Sequence, residues 1–403
     1  MREILPKIKF VVLCLIAFLI PGHIAFTPIC IVAYIALWLL EGNLGYKVKT
    51  WYKNKYALLF SGFYILYLLW LIRTPDLQSG VFNVQVKLSL GIFPFLFASE
   101  GETTPNRQRL FMLSFISGCI FNGLICLTYA VWKYFTLHVY EFTYSQLSLF
   151  LHPSYYTMYI DMALLFIFHI VTTDKMNIKK REKTGLLFVA LFLLFLVMLL
   201  QSKAGWACTI LLVVAILVRL FMNKTYRKFA IIVFAGSMAI AAVTYYTMIT
   251  HQRSRINVVE VLASSGKMDS TSAESTQARY YIWKAAKQVI FQQPVIGYGT
   301  GQAWKKLQEQ YGVDKFTGPA KKMLNAHNQY IQTAIDTGLI GLLYFVVCLI
   351  LPLIKAIKER RFVYGVFIGI FIINMLVESM LEQQSGTIFY GIFNSLLMFN
   401  FVI

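Results

Sequence analysis

The stretch Asn325-Ala-His-Asn-Gln-Tyr-Ile-Gln-Thr-Ala-Ile-Asp-Thr-Gly-Leu-Ile-Gly341 reads as a polar, histidine-led helix running without a spacer into the apolar run Leu342–Ile354. It closes the longest polar interval of the chain, so a histidine stands at the mouth of what reads as a membrane helix. Polar side chains at such a mouth are where chemistry at a membrane surface is expected.

Outward from this stretch, the composition fixes the class. The 403 residues are 58% hydrophobic and 16% aromatic, with mean hydropathy +0.63. That is too apolar for a soluble domain of this length and predicts an integral membrane protein whose core is its own bundle. The formal charge of +19 raises nucleic acid as a partner. Yet the basic residues sit in short clusters between apolar runs, with no basic strip interleaved with exposed aromatics, so nucleic-acid binding is set aside. Cys14, Cys30, Cys119, Cys126, Cys208 and Cys348 all fall in apolar runs without metal spacing and read as small core residues. The basic start and apolar run of the N-terminus lack a small-residue cleavage site and read as a retained first span.

Apolar runs at about 8–20, 25–40, 56–72, 82–98, 110–132, 153–172, 184–200, 204–221, 229–247, 338–354, 362–377 and 388–402 predict an all-α, polytopic bundle of about twelve transmembrane helices. The first two, separated by Pro21-Gly22-His23, also suit a re-entrant pair. Alternate connections differ sharply in charge. One set carries twenty-one Lys and Arg, whereas the short connections of the other set carry only Arg73 and Lys203. The positive side is cytoplasmic, so both termini are expected there. The expected division is residues 1–247 as nine helices, 248–337 as one large, partly helical periplasmic loop with the histidine segment, and 338–403 as three helices.

Up to Asn325 the long connection holds eleven basic residues against five acidic ones. Long outer loops escape the orientation rule, so either an anionic ligand or plain solubility accounts for the excess. The loop opens with Ser/Gly-rich, mobile chain around Ser264-Ser265-Gly266. An amphipathic helix over 276–291 follows, then the glycine turn Gly297-Tyr-Gly-Thr-Gly301. No strand-to-helix context or Gly-Lys-Ser/Thr accompanies those glycines, so they read as a shaped turn, not a nucleotide cradle.

The predicted topology gathers the chemistry-bearing residues on one face. With Asn325 as N-cap, His327 falls in the first turn of its helix, where the positive dipole end favours a neutral imidazole suited to a general base. The alternative is an interfacial histidine bonded to a loop carbonyl. Lys203, in the tight turn Leu200-Gln-Ser-Lys-Ala-Gly205, has little room to avoid burial and reads as a cation for a diphosphate or a snorkelling lysine. Arg279 suits a bidentate phosphate contact or an ordinary solvated helix start. His152, before Pro153, reads as a cap or a second site residue. Glu378 and Glu382, four apart, would share a face if the eleventh span continues that far. Lys87, inside the fourth span, is a paired charge or a functional cation. No spacing commits to a metal, and no cofactor is expected.

Taken together, His327-Asn-Gln-Tyr-Ile-Gln-Thr-Ala-Ile-Asp-Thr-Gly-Leu-Ile-Gly341, Arg279-Tyr-Tyr-Ile-Trp283, Pro294-Val-Ile-Gly-Tyr-Gly-Thr-Gly301 and Gln201-Ser-Lys-Ala-Gly205 resemble the O-antigen ligase and O-antigen polymerase superfamily. The resemblance covers roughly 185–345. It implies an inner-membrane glycosyltransferase that takes a glycan from a polyprenyl diphosphate on the periplasmic side and inverts the anomeric centre without metal. A ligase delivers the glycan to lipid A–core; a polymerase delivers it to another lipid-linked repeat. By position, His327 would activate the acceptor hydroxyl, and Arg279 and Lys203 would bind the diphosphate; the residue reading, apart from the resemblance, adds Asn328, His152, Glu378 and Glu382 as supporting candidates. The family has arginine where Lys203 stands, so planar bidentate geometry is lost there. A transporter of lipid-linked sugars is the reading from another class, and it would place cations at mid-bundle.

Overall fold

The computed structural model describes residues 4–22, 25–176, 178–222, 227–250, 275–401 and 403. The expected mobile opening of the long loop and His23 lie outside these residues. The helices, in chain order, are α1 (Leu5–Leu19), α2 (Thr27–Leu40), α3 (Leu44–Lys53), α4 (Lys55–Trp70), α5 (Leu77–Ala98), α6 (Pro105–Leu137), α7 (Tyr144–Leu147), α8 (Pro153–Thr172), α9 (Lys180–Leu200), α10 (Lys203–Met222) and α11 (Arg227–Thr250). The described part of the long connection adds α12 (Ser275–Gln292), α13 (Ala303–Val313) and α14 (Thr317–Lys321), and α15 (Gln329–Lys358), α16 (Phe362–Met375) and α17 (Gln384–Phe399) complete the chain. No strand occurs among the described residues, so the all-α expectation holds.

Every apolar run read from the sequence overlaps a helix. Among the described residues seven helices are long and apolar enough to cross a membrane, or eight if Thr27–Leu40 and Leu44–Lys53 form one broken span. The helices α1, α2, α16 and α17 have 15, 14, 14 and 16 residues. At 1.5 Å per residue each is short of a hydrocarbon core about 30 Å thick. The architecture fits a multi-pass membrane protein.

The chain divides into two compact units, Met1–Leu44 with Glu102–Ile256, and Gly45–Gly101 with Asn257–Ile403. In the first unit α8 packs against α6, α9 and α10 and buries nearly all of its side chains. Its Asp161 is fully buried and accepts from Thr209 Oγ1 at 2.6 Å. Gly205 of α10 lies so close to Thr157 that a Cβ there would stand 2.5 Å from its methyl group. In the second unit α5 packs against α4 and α17, and α15 packs against α4 and α16. Buried Arg361, before α16, donates to the carbonyls of Leu397, Met398 and Phe401, occupying acceptors that the end of α17 leaves open.

α12–α14 form a small cap with its own apolar core. Ala278, Ile282, Ala285, Ala286 and Val289 line one face of α12 and meet Leu307, Tyr311 and Phe316. The expected helix over 276–291 is thus present, with its apolar positions at helical spacing facing inward.

The expected unbroken passage from polar helix to apolar span is corrected. Gly338 adopts φ 68° and ψ −168°, so α15 is two helices joined at a kink, the polar Gln329–Thr337 and the apolar 339–358. A kink frees backbone groups, and in a membrane each unsatisfied one costs several kcal/mol. The turn 294–299 satisfies them. Leu339 N donates to Pro294 O at 2.9 Å and Ile340 N to Val295 O at 3.3 Å. In return Tyr298 N donates to Ile335 O at 3.0 Å and Gly299 N to Asp336 O at 2.9 Å. Asp336 Oδ1 also accepts from Ala303 N at 2.7 Å, holding the start of α13. On the other side of the turn, Trp70 Nε1 donates to Ile296 O at 2.7 Å and Thr300 Oγ1 to Tyr67 O at 2.6 Å. The glycines are therefore a shaped turn.

Backbone meets backbone here with no space for a side chain. A Cβ on Gly338 would lie 2.2 Å from Val295 O, and one on Gly297 would lie 2.6 Å from Ile335 O. Both residues also have positive φ. Alanine at either position is expected to destabilise the protein by at least about 2 kcal/mol, the strain and overlap adding. Thermal melting of the detergent-purified protein checks this. Gly312→Ala, at a helical site with nothing within 4 Å, should leave the melting temperature unchanged or raise it.

Candidate functional site

The second unit builds a polar site where the cap meets α15. The segment 323–328 is irregular, and neighbouring side chains take its backbone groups. Trp304 Nε1 donates to Met323 O at 3.1 Å, Gln308 Nε2 to Leu324 O at 3.2 Å, and Trp283 Nε1 to Ala326 O at 3.1 Å. Asn325 Oδ1 accepts from His327 N at 2.9 Å, an Asx turn. His327 itself has φ 43°, a left-handed conformation uncommon outside glycine. Backbone held this way by surrounding contacts clusters at functional sites.

The cap of α15 differs from expectation. Asn328, not Asn325, is the N-cap, its Oδ1 accepting from Ile331 N at 3.0 Å. His327 therefore precedes the helix and does not occupy its first turn. The Asx turn at 325 ends the irregular segment, and the next asparagine is the one with extended backbone free to cap. Its Nδ2 donates to Leu376 O at 2.9 Å and its N–H to Ser379 Oγ at 3.2 Å, so the same residue fastens the loop after α16.

Glu378 and Glu382 do not share a helix face. α16 ends at Met375, and Glu382 closes a separate short 3-10 turn, Met380–Glu382. The two carboxylates diverge. Glu378 lies 3.3 Å from His327 Nδ1, with the imidazole half-buried and the carboxylate nearly enclosed. Glu382 turns inward, accepting from Lys87 Nζ at 2.7 Å, Asn83 Nδ2 at 2.7 Å and Gln329 Nε2 at 3.0 Å. Lys87 is fully buried and its ammonium sits 4.7 Å from the Tyr67 ring centroid. Burial pushes the Glu382 carboxyl up, but the Lys87 charge and the three hydrogen bonds outweigh it and hold it below its ordinary value.

Arg279 stands one turn before Trp283 on α12, on the side that reaches the 326 carbonyl. It is half-buried, and its Nε is enclosed without a protein hydrogen-bond partner among the described residues. Lys203 and His152 belong to the first unit. His152 is the N-cap of α8, its Nδ1 accepting from Ser154 N at 3.4 Å. Ser154 Oγ lies 3.2 Å from Ser202 Oγ, so the start of α8 and the turn before α10 meet. Burial of Lys203, expected from that tight turn, is not observed. Gln201 and Ser202 take the inward positions, and Lys203 begins α10 facing outward.

The unit thus joins His327, Asn328, Glu378 and Glu382 in one cluster. Sequence reading noted Lys87 but not its partner, and it missed Asn83 and Gln329, which lie near Glu382 only through the fold. Among the described residues no three His, Cys, Asp or Glu side chains gather as metal ligands.

Comparison with known proteins bears out the resemblance over the segment that carries it. Residues 188–346 match the family described as O-antigen ligase. An uncharacterised protein of Haemophilus influenzae is 25% identical over 262 residues, 60% of this chain and 64% of its own length. A Rickettsia conorii protein provisionally named a polysaccharide ligase is 27% identical over 209 residues, 50% of this chain and 47% of its own length. The chain therefore spans less than two thirds of the length of these relatives.

A carboxylate whose folded value lies below its unfolded one stabilises the fold above the unfolded value and loses that contribution as pH falls through the folded value. Stability should thus fall as pH is lowered below the ordinary glutamate value of 4.5. In Glu382→Gln that part of the acid dependence should disappear, together with stability at neutral pH, since Lys87 is left buried and unpaired. Melting curves from pH 3 to pH 7 for the two proteins check it.

Proposed function

We propose, from the O-antigen ligase match over residues 188–346, that this protein transfers a glycan from a polyprenyl diphosphate to an acceptor hydroxyl on the periplasmic face of the inner membrane, with lipid A–core as the acceptor. The chain crosses the membrane about twelve times, the short α1, α2, α16 and α17 being met by local thinning of the bilayer, with both termini cytoplasmic and the 248–337 connection outside. The observation that carries the chemistry is the His327–Glu378 contact at 3.3 Å, just before the N-cap of α15.

With Nδ1–H donated to the Glu378 carboxylate, the imidazole keeps its lone pair on Nε2. Nε2 takes the proton of the acceptor hydroxyl as that oxygen attacks the anomeric carbon. The bond from that carbon to the diphosphate oxygen breaks, and polyprenyl diphosphate leaves with the electron pair. Attack opposite the leaving group inverts the centre. Glu378 acts through the imidazole, holding its tautomer and stabilising the imidazolium that forms. Arg279, whose Nε has no protein partner among the described residues, neutralises the departing diphosphate. No metal takes part in these steps. Lys87, the interior cation that a transporter reading needs, is neutralised by Glu382, which favours surface chemistry over transport.

Incubating purified protein with a lipid-linked oligosaccharide and either lipid A–core or a second lipid-linked unit tests the reaction. Extension of lipid A–core supports the ligase, extension of the lipid-linked unit makes the enzyme a polymerase, and no extension of either sinks the proposal. His327→Ala should lower transfer at least about 100-fold with membrane insertion intact, the range expected on losing a general base. Glu378→Gln should lower it less. A chelator should leave the rate unchanged, and a loss restored by added divalent ions would refute the metal-free step.

A further inference from the structure

The His327–Glu378 contact depends on where the loop 376–382 sits. Leu376 O and Ser379 Oγ are held by Asn328, and Leu381 N donates to Gln329 Oε1 at 2.7 Å. All three ties run to the first residues of α15, so they fix the loop to the histidine segment, while Tyr330 Oη donates to Ile372 O of α16 and Met380 and Leu381 are fully buried. Glu382 adds a charged link from both to α5. Its Oε1 receives both Lys87 Nζ of α5 and Gln329 Nε2 of α15, while its Oε2 receives Asn83 Nδ2 of α5. Lys87 cannot be a solvated surface charge. It is fully enclosed, directed at Glu382 and stacked over Tyr67 of α4.

We infer that Lys87 is a positioning residue: its buried ion pair with Glu382 pins the loop 376–382 and the start of α15 to α5, and so sets Glu378 against His327. The inference rests on the proposed function for its meaning but not for its geometry. A buried charge pair suits this use because it tolerates neither displacement nor loss of one member, so the loop has one resting place. The titratable groups facing Glu382 are Lys87 from α5, Tyr67 from α4 and Asp336 from α15. The His327 ring meets Glu378.

The test uses full-length protein in detergent. Lys87→Met/Glu382→Met removes both charges at near-constant volume, which leaves no buried ion unpaired and is expected to keep the parental melting temperature. Cysteines introduced by His327→Cys and Glu378→Cys report the spacing through a short bis-methanethiosulfonate crosslinker, without any reaction taking place. Crosslinking should fall several-fold in the double variant and also in Gln329→Met, which cuts the same link while leaving the ion pair. On the 327/378 wild-type background, kcat should fall about tenfold with donor KM within twofold. Parental crosslinking in a folded double variant, or in Gln329→Met should the double variant misfold, overturns the inference. Altered crosslinking in a parent protein that transfers no glycan leaves the positioning intact and refutes the proposed function instead.

Discussion

The second unit depends on one backbone junction. Gly338 interrupts α15, and the turn 294–299 inserts its own carbonyls and amides into the break, four hydrogen bonds in all. A helix that leaves a membrane surface cannot stop being a helix without a substitute partner for each freed group. Here the partner comes from a segment some forty residues earlier in the chain. That is why glycines stand at both 297 and 338: a side chain on either would collide with the opposite backbone.

The junction has a consequence for chemistry. By ending the apolar helix at Gly338 it lets the nine residues 329–337 adopt their own direction as a short polar helix. That helix buries Gln329, Gln332, Thr333 and Asp336 and presents its N-cap asparagine to the loop after α16. His327 stands just outside the cap, in a left-handed conformation that the Asx turn and the tryptophan and glutamine donors of the cap subdomain sustain. Precision at the imidazole therefore derives from contacts made by at least four separate chain segments.

Burial of charge follows the same logic. Lys87 inside an apolar helix is costly unless matched, and its match is Glu382, 295 residues away. Glu378, only four residues earlier, takes a different direction because the chain between them is a 3-10 turn and not a helix. Two carboxylates that look equivalent in the sequence thus serve two neighbours, one facing the half-exposed histidine and one the buried lysine.

Much was legible in the residues themselves. Apolar runs mark each of the membrane-length apolar helices because a membrane demands length and hydropathy from contiguous residues. The amphipathic α12 and the shaped glycine turn were readable for the same reason: each is encoded over a few successive positions. What the sequence could not disclose was pairing at a distance. Asn328 capping instead of Asn325, Lys203 facing outward, and Glu382 belonging to Lys87 depend on which distant groups arrive to satisfy a donor or a charge. Hydrophobic periodicity is a local property of the chain, whereas the satisfaction of a buried polar atom is a property of the packed whole, and only the tertiary structure decides it.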